Sequence, residues 1–203
     1  MSLKSRFFRK LFAGAALAFG LCASGAHALT LDTFSGQLRG ASDVNVGGSL
    51  YSVSFRDGSC FDLYSGCDEA SDFAFSTAAD AQAASLALLD QVFLNSSLGR
   101  FDTDPELTLG IESTQLGVIL TPYQGDSFTA LGYGAVNGNR RNNDGASALS
   151  FSATDVSTSS FFSYAVWTPN PSLAAVPLPP AVLMLLTALG GVFSMRFFGA
   201  RRA

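Results

Sequence analysis

Between Leu29 and Ala175 this 203-residue chain has no histidine and no lysine. The sole histidine is His27, and the only lysines are Lys4 and Lys10. Ser-His-Asp and Cys-His catalysis, H-E-x-x-H zinc proteolysis, imidazole acid–base chemistry and Schiff-base chemistry are therefore excluded from the body of the protein. Phosphate-binding loops are missing as well, since Gly132-x-Gly134 lacks a third glycine and a helical pattern after it. No EF-hand run of the form D-x-[DN]-x-[DN]-G occurs. Positive charge is scarce in the same stretch: all 16 acidic residues fall there, against Arg39, Arg56, Arg100, Arg140 and Arg141, a formal charge of −11. Such a surface repels phosphate backbones and favours divalent cations or cationic partners, which sets nucleic-acid binding aside.

What the body lacks is concentrated at the ends. Residues 1–28 begin with Lys4, Arg6, Arg9 and Lys10, continue through an apolar run from Leu11 to Leu21, and finish on Ala26-His27-Ala28. This is the order of a secretory signal peptide, with Ala26 and Ala28 as the small residues of the cleavage site and signal peptidase as the processing enzyme. Cleavage there removes Cys22 and leaves two cysteines, Cys60 and Cys67. In an exported chain an even, closely spaced pair reads as a disulfide, two free thiols or half a metal site being the alternatives.

Five of the seven prolines lie between Pro169 and Pro180, which makes residues 169–180 an extended linker. From Ala181 to Met195 the chain carries no charge. A helix of that length rises about 22 Å, and flanking apolar residues extend it toward the roughly 30 Å of a hydrocarbon core. Arg196, Arg201 and Arg202 follow directly, so residues 181–203 read as a single transmembrane helix whose basic end stays in the cytoplasm. The body of residues 29–168 is then expected on the outer side of the inner membrane.

Val176-Pro177-Leu178-Pro179, a short apolar helix and a terminal arginine cluster together resemble the tripartite PEP-CTERM sorting signal in its VPLPA form. The fifth motif position is Pro180 here, with Ala181 next. The resemblance implies an exosortase, a membrane cysteine transpeptidase that reads the proline motif and removes the helix. It also implies transient anchoring in the inner membrane, then cell-surface or extracellular placement in a biofilm matrix, with extracellular polysaccharide as a partner. The DGSC, GCD and ALLDQVF pieces are similar to those of short exported proteins that carry this signal.

Within the body, Leu50 to Arg56 alternates, with Tyr51, Val53 and Phe55 on one face and Asp57-Gly58 as a turn after it. Phe73 to Phe75 reads as a second short strand, closing the cysteine loop into an irregular hairpin. Residues 77–94 predict a helix capped by Thr77 and Asp80, with Ala79, Ala83, Leu86, Leu89 and Phe93 on the inner face and Asp80 and Gln91 outward. Further strands are expected at Leu107 to Ile111, Leu116 to Leu120, Ser127 to Val136, Ala148 to Ala153 and Phe161 to Trp167, with residues 137–145 as a polar loop. The fold class expected is α+β: a single domain, mainly an antiparallel sheet with one amphipathic helix.

Only carboxylate chemistry survives these exclusions. Its densest cluster is Asp102, Asp104 and Glu106 in FDTDPEL. A solvated Asp-Pro turn, a calcium site on one strand edge, and a glycosidase-type carboxylate pair are the three readings of that segment. Trp167, the only tryptophan, either stacks on a sugar ring or anchors the last strand. The function expected is a non-catalytic exported surface or matrix protein without a cofactor. A carboxylate-dependent glycan hydrolase or lyase and a calcium-dependent adhesion module are the alternatives.

Overall fold

The structure, a computed structural model, describes residues 28–126, 128–153, 157 and 159–170. The sorting motif, the basic residues after it, Ala26, the signal segment before it and the predicted C-terminal helix lie outside these residues. Among the described residues no helix is long and apolar enough to cross a membrane.

The described chain is one sheet-rich domain with one substantial helix, as the α+β reading requires. It begins with a three-stranded meander: β1 (Thr30–Phe34), β2 (Gln37–Val46) and β3 (Ser49–Arg56). Two tight turns join them, Ser35-Gly36 and Gly47-Gly48, and all four residues have positive φ. Turns of that hand match the twist of the strands they connect. After the short helix α1 (Cys60–Leu63) comes α2 (Ala78–Ala87), which runs on as a π-helical turn over Leu88–Val92. A two-stranded ribbon, β4 (Asn95–Ser96) with β5 (Gly99–Arg100), leads to a second meander of β6 (Leu116–Gly125), β7 (Thr129–Gly138) and β8 (Gly145–Ser152).

The last strand, β9 (Phe162–Pro169), joins the two halves. It enters between the meanders, giving the order β1-β2-β3-β9-β6-β7-β8. Every neighbouring pair is antiparallel except β6 with β9, where Val118 faces Phe162 and Leu120 faces Tyr164.

Because β9 is central, its period-2 alternation fills two cores. On one side Tyr164, with half-buried Phe162 and Val166 against it, meets Val118, Leu120, Tyr64, Phe73 and the cysteine pair. On the other side Ala165 and Trp167 meet Val53, Phe55, Ile119, Leu88 and Val92. Cys60 and Cys67 are bonded to each other, with Cα atoms 5.6 Å apart, and both are fully buried. Their bridge lets an eight-residue segment that forms no strand serve as a lid on the sheet. Trp167 is packed, with its indole N–H donating to Thr121 Oγ1 at 3.2 Å and its ring edge-on to Phe75 at 5.5 Å. That geometry is the anchoring role, not an exposed sugar platform.

Thr77 caps α2 as expected, accepting from the Asp80 N–H at 3.2 Å. The buried face, however, is Ala81, Ala84, Ser85, Leu88 and Val92, while Ala79 and Leu86 are exposed. Apolar residues surround this helix, so spacing alone does not select a side, and the sheet takes the face with small residues that allow close approach. Gln91 is half-buried and clasps β2, accepting from the Asn45 N–H at 2.9 Å and donating to the Asn45 carbonyl at 2.8 Å.

Three other expectations change. Phe73 and Phe75 are buried outside any strand, in the segment leading to α2, so no hairpin encloses the disulfide. Leu107 closes a 3₁₀ turn over Pro105–Leu107, and the only pairing in Leu107 to Ile111 is a bridge between Thr108 and Leu38. Pro105 supplies the fixed φ that starts such a turn and forbids a ladder donor. The polar loop after β7 begins later than expected, because Asn137 and Gly138 complete that strand.

Candidate functional site: an arginine-lined cleft

Asp32, Gly40 and Ser54 lie side by side across β1, β2 and β3 as paired residues. The middle position has no side chain, and none fits, since a Cβ on Gly40 would run into the Val53 carbonyl oxygen. The β1–β2 ladder slips at this point: Asp32 pairs with Gly40 but Thr33 pairs with Leu38, leaving Arg39 as the extra residue of a bulge. Bulges re-aim side chains. The Arg39 guanidinium carbon stands 4.3 Å from the centre of the Phe34 ring, a cation–π contact.

Around the gap is a cleft of about 310 Å³ lined by Asp32, Arg39, Ser54, Phe55, Arg56 and Leu109. Arg56 ends β3, and its carbonyl accepts from Ser163 Oγ at 3.0 Å, which ties that strand end to β9. Leu109 is brought in by its N–H, which donates to the Leu38 carbonyl at 2.9 Å. Among the described residues the ion pair is Arg100 with Asp104 at 3.5 Å, and neither Arg39 nor Arg56 has a carboxylate within that reach. Among the described residues, two of the body's five arginines therefore line one polar cleft without an ionic partner.

The acidic segment is arranged differently from a strand edge. Asp102 is nearly buried, at 8% exposure, and its N–H donates to Asn95 Oδ1 at 3.1 Å. Asp104 is engaged by Arg100 and by the Thr103 hydroxyl at 3.1 Å, while Glu106 sits in the 3₁₀ turn with Oε2 buried and unpartnered. The turn breaks the alternation on which a shared edge depends. Among the described residues no three His, Cys, Asp or Glu side chains group as a metal cluster.

Asp144 is the acid that Asp102 meets electrostatically. Desolvation first, then the Asp102 charge, raises the Asp144 pKa above the usual carboxylate value, opposed by the Gly138 N–H and by Arg141. The Gly138 N–H donates to Asp144 Oδ1 at 2.8 Å. A raised folded-state value means that Asp144 favours the fold while protonated, and that this contribution is lost as pH rises through the folded value. The urea midpoint of the native protein is therefore expected to fall relative to Asp144→Asn between about pH 3 and pH 6. A constant difference across that range would show that Asp144 is not destabilised by its surroundings.

Sequence reasoning missed Arg39, Arg56 and Asp32 as neighbours. Their available signal was the scarcity of arginine, combined with an Arg-Gly step inside one strand and an arginine closing the next. Comparison with known proteins finds no matching family model, no similar curated protein and no similar solved structure.

Proposed function

We propose that this chain is an exported, non-catalytic surface or matrix protein. Signal peptidase removes residues 1–28, residues 181–203 hold the body against the outer side of the inner membrane, and an exosortase acts at Val176-Pro177-Leu178-Pro179. The body then passes to the cell surface or the extracellular matrix. The observation that carries the reading is the order of the terminal parts: a proline motif, an uncharged run and an arginine cluster, behind an acidic body with a signal peptide before it. The buried Cys60–Cys67 bridge supports it, because such bonds persist in oxidising compartments. The want of histidine and lysine between Leu29 and Ala175 supports a binding role over catalysis.

The test is the intact mass of the chain recovered from cells that possess an exosortase. The expected mass lacks residues 1–28 and the C-terminal helix, whereas Pro177→Ala with Pro179→Ala retains the helix. A native protein that keeps residues 181–203 in such cells overturns the proposal.

A further inference from the structure

We infer that the cleft over Gly40 binds the carboxylate-bearing sugar of an acidic saccharide, Arg39 and Arg56 holding the carboxylate and Asp32 and Ser54 the hydroxyls. This gives the surface role a ligand, and it rests on that reading only for where the ligand is met. A body with 16 acids has carboxylates in surplus, so two arginines left without one are not short of partners. Asp32 shares the cleft with them, yet among the described residues no carboxylate reaches either arginine at ion-pair distance. The bulge turns Arg39 out of the ladder, and its guanidinium rests over the exposed Phe34 ring, a contact that favours this position before any ligand arrives and so lowers the ordering cost of binding. Guanidinium forks match carboxylates in geometry and stay charged at any physiological pH.

The rest of the lining narrows the class of ligand. Asp32 stands in the same cleft, and it disfavours a group that is charged all round, such as a phosphate, relative to a single carboxylate set among neutral hydroxyls. A ligand with one carboxylate among several hydroxyls satisfies both arginines and also donates to Asp32 and Ser54. Hydroxylated sugar acids have that composition. The volume is at the small end for a ligand pocket, and Asp32, Arg39 and Arg56 are all exposed, so the cleft cannot enclose a free small molecule. It suits one residue of a longer chain whose neighbours remain in water. Affinity per site is then modest.

The experiment is calorimetric titration of the full chain, held in nonionic detergent, with trisaccharides of galacturonate, mannuronate and guluronate. At least one is expected to bind, its methyl ester at least about tenfold more weakly, because esterification removes the charge and leaves the sugar intact. Arg39→Gln and Arg56→Gln are each expected to weaken binding about tenfold, while Arg100→Gln, outside the cleft, leaves it unchanged. Both cleft arginines are exposed, so the variants should melt with the native protein; the ester comparison needs no variant at all. Absence of binding by all three acids, equal binding of acid and ester, or undiminished binding by the double Arg39→Gln, Arg56→Gln variant overturns the inference. Inorganic phosphate competing as well as the uronates would also overturn it, showing a general anion site. Binding is read on the purified chain and sorting on the mass of the processed one, so either can fail alone.

Discussion

Phe55→Ala is expected to destabilise the domain by about 4 kcal/mol, the cost of emptying a buried aromatic site that cannot collapse. Phe55 is 1% exposed, and its ring stacks on Phe93 at 5.6 Å with 22° between planes. Phe93 closes the π-helical turn, with its N–H donating to the Leu88 carbonyl at 2.8 Å, so it is poorly placed to move inward and fill the gap. A domain of this kind has roughly 5–15 kcal/mol of stability in total, which makes the loss a large fraction of it. Phe128→Ala removes the same atoms from a ring that is 81% exposed, beside the β6–β7 turn, and is expected within about 0.5 kcal/mol of the native protein. Urea midpoints at constant slope measure both. Near-equal effects would mean that Phe55 is not enclosed in the core as described.

That contrast also marks what could be read from the sequence. Tyr51, Val53 and Phe55 alternate with serines, and a strand with one buried face is the only regular structure that puts three large side chains together at that spacing. The Thr77 cap was equally legible, because it depends on two residues three apart and on nothing distant. The inward face of α2 was not, since its alanines and leucines run all round the helix and the choice was made by the sheet it meets. β1 and β2 escaped for a related reason. Their exposed outer residues and the irregularity at Asp43, whose φ is +60°, blur the alternation, although Ser35-Gly36 and Gly47-Gly48 were turn signals in plain view. Asn137 looked like loop because it sits among asparagines, yet its amide donates to the Phe101 carbonyl at 2.8 Å in the interior. The cleft is the least local feature of all: it needs a bulge at Arg39, an empty place at Gly40 and the end of a third strand, and only the pairing register brings these together.

Gly125→Ala is expected to cost about 2 kcal/mol and to make the disulfide easier to reduce, although it adds a single methyl group at a half-buried position. A Cβ there would run into the carbonyl oxygen of Cys67, with the Cys67 carbonyl carbon at 3.0 Å and its sulfur at 3.6 Å. Neither side has a flexible side chain to give way. Gly125 is held in β6 by its pairing with Ala130, and Cys67 is held by the bridge to Cys60 and by a backbone with φ of +58°. The segment over the sheet must therefore lift, and its sulfurs, fully buried in the native protein, become reachable by a thiol. Faster reduction by dithiothreitol at pH 8, together with a lower urea midpoint, is the expected result. A double-mutant cycle separates this cause from a local defect in β6. In a Cys60→Ala, Cys67→Ala background the unbridged segment can move aside, so the same Gly125→Ala change should cost at least about 0.5 kcal/mol less than in the bridged protein. Full additivity would place the strain within the strand, and the disulfide lid would then be a passenger on the sheet instead of a part packed against it.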